Sequence, residues 1–300
     1  MKKEIGFVGL GRMGLNMATL AFEKGYKVIA YNRSLEPREE ASKVGIDTVA
    51  SLQEMVSKLS APKVVWLMVS SSAVDTMLEE LIPLLEKGDT IIDGGNSFYQ
   101  DSLRRHTLLE ESGIQFLDCG TSGGTDGARH GASIMVGGKT EVFAQYEDIF
   151  KTLATTDGYA RVGNAGAGHF VKMIHNGIEY GMMGALAEGF SILHDHETKL
   201  GVNISEVLKP YTHESIVAGK LVNWLKDAYQ QGQIDVIKGE VPHGETESEM
   251  EHITTLGETR VLEAALAQRK KTRQEASYLG KLVAAMRNQF GGHKVIDTQN

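Results

Sequence analysis

Residues 168–183, GHFVKMIHNGIEYGMM, place a lysine, a histidine, an asparagine and a glutamate in a run with helical periodicity. At about 100° per residue, with Lys172 at zero, His175 falls at roughly 300°, Asn176 at roughly 40° and Glu179 at roughly 340°. The four share one stripe. Lys172 and Glu179 are two turns apart, roughly 10 Å along the axis, too far for a direct pair and far enough to leave a small molecule between their tips. The helix thus presents a base, an acid and two polar anchors to one ligand. Phe170, Val171, Met173, Ile174 and Ile178 make the other sides apolar, and Gly177, Gly181 and Gly184 permit close packing. Such a helix is expected inside the protein, where charged groups are seldom left without a purpose.

A second constellation lies at the start. Gly9, Gly11 and Gly14 form G-x-G-x-x-G between the apolar run IGFVGL and the helical run MGLNMATLAFEKG. In that setting the first glycine allows a tight turn, the second lets a pyrophosphate approach the backbone, and the third lets helix and strand pack closely. The helix N-terminus then offers its N–H groups to the phosphates. Arg12 and Met13 inside the loop, and Val69 at the end of VVWLMVS, are expected cofactor contacts. The second strand ends in AYNRS, where an acid would pair with a ribose 2′-hydroxyl and an arginine would accommodate a 2′-phosphate. Asn32 is neutral, Arg33 brings a fork of donors and Ser34 a hydroxyl, which favours NADP and leaves NAD possible.

These groups need elements to position them. Up to about residue 160, short β-rich runs (IGFVGL, KVIAYN, VVWLMVS, TIIDGGN, IQFLDCG, ASIMVGG) alternate with helical stretches, which predicts a mostly parallel sheet covered on both faces. Helical patterns follow, over 169–196 and within 205–232 and 259–289. The expectation is an α/β fold, a Rossmann-type doubly wound sheet over 1–165, then an all-α domain over 166–300. The acidic stretch GEVPHGETESEMEH reads as a solvated loop or the start of a helix. A net charge of −8 with no dense basic block argues against a nucleic-acid or anionic-membrane surface. The single cysteine, Cys119, excludes an internal disulfide and a cysteine-rich zinc site and is expected to be a buried spectator. His194 and His196 in HDH splay on a helix and do not suggest a metal site. With a strand beginning by residue 4 and no apolar run near the bilayer-spanning length, a soluble cytoplasmic protein is expected.

The blocks GLGRMG, NRS, DGGNS, TSGG, GHFVKMIHNGIEY and RNQFGGH together resemble the decarboxylating 6-phosphogluconate dehydrogenases, a branch of the β-hydroxyacid dehydrogenase superfamily. The resemblance implies oxidative decarboxylation of 6-phosphogluconate to ribulose 5-phosphate and carbon dioxide with reduction of NADP or NAD, in pentose phosphate or gluconate metabolism. It implies Lys172 as general base and acid, and Glu179 as the group that protonates carbon 1 of the enediol. Asn96, Ser122, Gly123 and Gly124 match groups that hold the sugar acid beside the nicotinamide, Asn96 touching the cofactor as well. His175, Asn176 and Tyr180 match further substrate contacts. Arg269, Arg287 and His293 match ligands of the 6-phosphate, the last two reaching over from the neighbouring subunit in this family. No metal is implied.

The chemistry suits these residue types. Hydride transfer from the carbon-3 hydroxyl needs a base, and a lysine held neutral can take the proton. The resulting ketone is β to the carboxylate, so the protonated lysine can stabilise its oxygen as carbon dioxide departs, and an acid completes the reaction. Three features depart from the family. The chain is short where longer members duplicate the helical domain, which predicts a homodimer or homotetramer with sites shared between subunits. Glu247 in GETESEM falls where many members carry a basic residue; uncompensated it would repel a phosphate, so either the loop turns outward or the natural substrate acid carries its negative charge elsewhere. Asn32 stands where short members often have aspartate. Two rival readings are a β-hydroxyacid dehydrogenase acting without decarboxylation on an unphosphorylated acid, and a non-catalytic cofactor-binding regulator.

Overall fold

A computed structural model of the chain describes residues 3–292 and 295–296. The chain divides into two compact units, Met1–Lys172 and Met173–Asn300.

The first unit holds eight strands: β1 (Glu4–Val8), β2 (Lys27–Tyr31), β3 (Asp47–Val49), β4 (Val64–Leu67), β5 (Thr90–Asp93), β6 (Gln115–Ser122), β7 (Ala132–Gly138) and β8 (Ala154–Gly163). Seven helices connect them: α1 (Arg12–Glu23), α2 (Leu35–Lys43), α3 (Leu52–Lys58), α4 (Ser71–Leu81), α5 (Tyr99–Glu111), α6 (Gly124–His130) and α7 (Thr140–Leu153). The strands form one sheet in the order β3-β2-β1-β4-β5-β6-β7-β8. All neighbours run parallel except β6 and β7, which are antiparallel. The winding direction reverses at β1, so the loop after β1 opens at the position where doubly wound sheets bind ligands.

Alternation along the strands builds a core on each face. Ile5, Phe7, Trp66 and Ile92 pack with the inner sides of α1 and α7 on one side. Val8, Val65, Leu67 and Ile91 pack with α3 and α4 on the other. All four residues of β4 are buried, as a parallel strand covered on both faces requires. Two strands escaped the sequence reading. β3 has only three residues, and β8 is largely exposed and polar, so neither shows an apolar run.

α8 (Ala167–Asp195) is a single 29-residue helix. The second unit adds α9 (Glu197–Leu200), α10 (Ile204–Tyr211), α11 (Lys220–Gln230), α12 (Gln233–Val236), α13 (Glu245–Ile253), α14 (Arg260–Lys271) and α15 (Tyr278–Gly291). Met183, Ala187 and Phe190 of α8 pack with Leu208, Val222, Leu225, Leu282 and Met286 in one cluster. The glycines expected to permit close packing do so: methyls built on Gly177 and Gly184 would meet Ile253 at 2.8 Å and Gln268 at 2.9 Å. The expectation that α8 is enclosed on every side is corrected. Ile178, Met182 and Ile192 are more than half exposed, because no described residue covers that face. No described helix is long and apolar enough to cross a membrane.

Candidate active site

The glycine loop joins β1 to α1, and each glycine meets a different physical demand. Gly9 has φ +95°, a region that side chains rarely adopt. A methyl on Gly14 would overlap the carbonyl oxygen of Gly9, whereas one on Gly11 would meet nothing within 4 Å. The open position is where a ligand's phosphates can approach the backbone. Gly11 also caps α1 without a side-chain bond. Beside the loop lies a cavity of about 350 Å³ lined by Arg12, Met13, Gly14, Met68, Val69, Gly94, Gly95, Asn96 and Thr121. A loop that forbids side chains, a helix N-terminus and an open cavity together fit a dinucleotide's pyrophosphate and nicotinamide. Met68, Gly94, Gly95 and Thr121 were not singled out from the sequence, although Gly94 and Gly95 sit in the DGGN block and Thr121 in TSGG.

At the end of β2, Asn32 turns inward. Its Oδ1 accepts the Leu10 N–H at 3.0 Å and its Nδ2 donates to the Ser34 carbonyl at 3.2 Å, tying the glycine loop to the following turn. Arg33 and Ser34 are exposed. Ser122 ends β6, and Gly123 and Gly124 open α6 with φ +123° and +62°. These three do not line the cavity, but Thr121 beside them does. Lys172 lies on α8 with its stem against Gly120 of β6, where a methyl would overlap its Cβ.

Continuous α8 carries Lys172, His175, Asn176 and Glu179 within one helix. His175 Nδ1 is 3.8 Å from a Glu179 carboxylate oxygen and 3.4 Å from Asn176 Oδ1. Asn176 is buried and donates to Glu249 at 2.7 Å. Glu249 was not anticipated.

A buried ionic cluster occupies the second unit. Arg269, at 2% exposure, donates to Thr246 Oγ1 and to the Pro242 carbonyl, both at 3.0 Å, and its guanidinium lies 4.7 Å above the Tyr180 ring. Thr246 in turn donates to the Tyr180 hydroxyl at 3.2 Å. Arg287 is also buried. The ends of Arg269 and Arg287 converge beside Gly244, lying 3.7 and 3.8 Å from the same point. Their Nε atoms are buried without a hydrogen-bond partner. His293 lies outside the described residues.

Glu247 corrects both the reading of its stretch as solvated surface and the choice between a loop that turns outward and a substrate acid that carries its negative charge elsewhere, because the glutamate is compensated. It is 1% exposed in α13. Arg273 grips its carboxylate with two bonds of 2.8 and 2.7 Å, and Arg269 Nε stands 3.3 Å away. Burial pushes this carboxyl up, but Arg273's hydrogen bonds and the charges of Arg269 and Arg273 outweigh it, leaving its pKa below the ordinary value. Arg269 is shifted down, by burial and then by the nearby charge of Arg287. The buried carboxylate therefore sits between Arg269 and Arg273, with Arg287 beside Arg269. The signal was in the sequence as complementary runs. Acidic α13 meets the basic end of α14, with Glu251 on Lys270 as a further pair. Cys119 is fully buried, and its thiol pKa is pushed well up by that burial. Among the described residues no cluster of three metal-type ligands occurs.

Residues 4–166 match the family described as the NAD binding domain of 6-phosphogluconate dehydrogenase, and residues 168–231 match the 6-phosphogluconate dehydrogenase C-terminal domain. YqeC of Bacillus subtilis, which carries a provisional 6-phosphogluconate dehydrogenase name, is 39% identical over 97% of this chain and 98% of its own length. The NAD(+)-dependent, decarboxylating 6-phosphogluconate dehydrogenase of Haloferax volcanii is 33% identical over 97% of this chain and 98% of its own. Among solved structures, the 6-phosphogluconate dehydrogenase of Plasmodium falciparum, described in its apo form and in complex with NADP+ and with 6-phosphogluconate, superposes with a TM-score of 0.81 at 29% identity. The match covers 91% of this chain and 62% of that one. Two family domains in sequence and two relatives of matching length lead to one assignment: the chain belongs to the 6-phosphogluconate dehydrogenase family.

Proposed function

We propose that the chain is an enzyme that oxidatively decarboxylates 6-phosphogluconate to ribulose 5-phosphate and carbon dioxide, reducing NADP, with NAD as a possible alternative. The observation that carries the reading is the α8 stripe of Lys172, His175, Asn176 and Glu179 on one continuous helix. The nicotinamide, when bound, accepts the hydride from carbon 3. Lys172 takes the carbon-3 hydroxyl proton, leaving a ketone β to the carboxylate. The ammonium so formed donates a hydrogen bond to the ketone oxygen, which draws in the electrons released as the bond to the carboxylate breaks. Lys172 passes its proton to that oxygen, giving the enediol, and Glu179 then delivers a proton to carbon 1 as Lys172 takes the hydroxyl proton back and the ketone forms, while His175 and Asn176 orient the substrate.

Arg269, Arg287 and Tyr180 are the proposed partners of the 6-phosphate, with His293 a further one. The ends of Arg269 and Arg287 converge beside Gly244, a placement that suits an anion and favours a phosphorylated acid over an unphosphorylated one. Asn96, Ser122, Gly123 and Gly124 are assigned to the sugar acid, with Asn96 also facing the cofactor beside Gly9, Gly11, Arg12, Met13, Gly14 and Val69. Asn32, Arg33 and Ser34 are assigned to the adenosine ribose, Arg33 reading a 2′-phosphate. The uncovered apolar residues of α8, Ile178, Met182 and Ile192, support a homodimer or homotetramer, and a cytoplasmic setting is proposed with it. The test is reduction of NADP and of NAD, measured separately with 6-phosphogluconate while carbon dioxide is trapped. Stoichiometric release, lost in Lys172→Ala, supports the reading; reduction without carbon dioxide would transfer it to the non-decarboxylating dehydrogenases.

A further inference from the structure

Two fully buried aspartates stand side by side in the sheet: Asp93, the last residue of β5, is the register partner of Asp118 in parallel β6. Adjacent buried carboxylates are costly unless each is fully hydrogen-bonded, and here the two are satisfied by different segments. Asp93 Oδ1 accepts the Gly95 N–H at 3.2 Å and its Oδ2 accepts the Ser97 hydroxyl at 2.8 Å. Arg105, 1% exposed, stands 3.4 Å from that Oδ2 and donates to Ser97 at 3.0 Å. Asp93 thus holds both sides of the turn that carries Asn96.

Asp118 serves a different segment. Its Oδ1 accepts the Gly166 N–H at 2.6 Å and its Oδ2 the His169 N–H at 2.9 Å, two donors at the start of α8 that have no partner within the helix. The His169 ring, also buried, lies 2.7 Å through Nδ1 from the Ser102 hydroxyl of α5, the helix that follows the Asn96 turn. Residues 118, 120 and 122 share one face of β6 by strand alternation. Along that face Asp118 caps α8, Gly120 receives the Lys172 stem and Ser122 follows.

We propose that Asp93 and Asp118 act as a coupled pair of positioning residues, fixing the Asn96 turn and the Lys172 turn in one register of the sheet. The inference rests on Lys172 being the base, and neither aspartate is assigned any contact with substrate. A misplacement on the order of 1 Å at a reacting group can cost about 100-fold in rate.

The experiment measures kcat, KM for 6-phosphogluconate, NADPH affinity by fluorescence titration and amide exchange in Lys172→Ala, Asp118→Asn, Asp93→Asn and the double aspartate variant. With Lys172→Ala inactive, Asp118→Asn should lose roughly 10- to 100-fold in kcat while KM and NADPH affinity stay within about twofold. The double variant should lose less than the product of the singles, because both substitutions act on one quantity, the offset between Lys172 and the Asn96 turn. Asp118→Asn within about twofold of wild-type kcat overturns the proposal, as does a multiplicative double variant or a loss of cofactor binding equal to the loss of rate. Turnover surviving in Lys172→Ala overturns the reading of the base, and the proposal with it. If Asp118→Asn fails to fold, wild-type exchange decides: Gly166 and His169 amides should open only with the unit as a whole, and exchange as fast as a frayed helix end refutes the clamp.

Discussion

Replacing Glu247 with glutamine keeps the shape of the side chain and removes its charge. In the native protein that charge is buried, doubly bonded to Arg273 and 3.3 Å from the equally buried Arg269. Removing one partner of a buried pair typically costs about 3–5 kcal/mol, chiefly through the charge left behind. Arg273 retains 27% of its side-chain exposure and can turn to water, so its share is discounted and most of the loss falls on Arg269. The expected destabilisation at neutral pH is about 2–4 kcal/mol, which lowers the melting temperature by roughly 4–12 °C. Its pH dependence has a definite sign. Because the native carboxyl titrates below its ordinary value of 4.5, wild type should hold its full advantage above that pH and lose it as pH falls through the lower native value. Thermal and urea unfolding of both proteins from pH 3 to 8, scored on the helical signal, measures this. A Glu247→Gln protein as stable as wild type at pH 7, or a gap that widens in acid, would falsify the view that Glu247 balances the arginines.

Other expectations follow from single distances and charges. Gly14→Ala should abolish dinucleotide binding while the protein stays folded, because its methyl would overlap the Gly9 carbonyl and displace the loop; isothermal titration with NADPH checks it. Arg33→Ala should weaken NADP by roughly 10- to 100-fold and leave NAD nearly untouched, the loss of one or two charge-assisted bonds; the ratio of kcat/KM values for the two cofactors measures it. Arg287→Met should raise KM for 6-phosphogluconate far more than it lowers kcat, since it removes binding rather than chemistry, and an equal loss in both would contradict that role. Cys119 should resist a thiol reagent in the native state and react stoichiometrically in denaturant, its burial disfavouring the thiolate.

Much of the nucleotide-binding unit was legible because its physics is local. A buried parallel strand such as VVWL is apolar at every position, and a loop that forbids side chains needs glycines at fixed spacing. The stripe on α8 was legible for the same reason, since one period places all four residues. What the sequence concealed was non-local. Glu247 and Glu249 read as solvated acids until α14 and Asn176 supplied their partners, and nothing in the sequence marked Asp93 and Asp118 as neighbours across two strands. Ile178 misled in the opposite direction: its apolar character announces burial, but none of the described residues covers it. β3 and β8 were missed because three residues, or a mostly exposed ten, carry too weak a pattern.

Asn32 spends both ends of its amide on the backbone, one on Leu10 and one on Ser34. An aspartate there, the obvious substitution for turning the protein toward NAD, would accept from Leu10 but would set a second oxygen against the Ser34 carbonyl. Redirecting cofactor choice at this position would therefore loosen the loop that binds either cofactor. Exposed Arg33 has no such duty to the loop. A lineage or a designer seeking to exchange one nicotinamide for the other meets the smaller obstacle at Arg33, and a change at Asn32 becomes tolerable only after some other donor has taken over the Ser34 carbonyl.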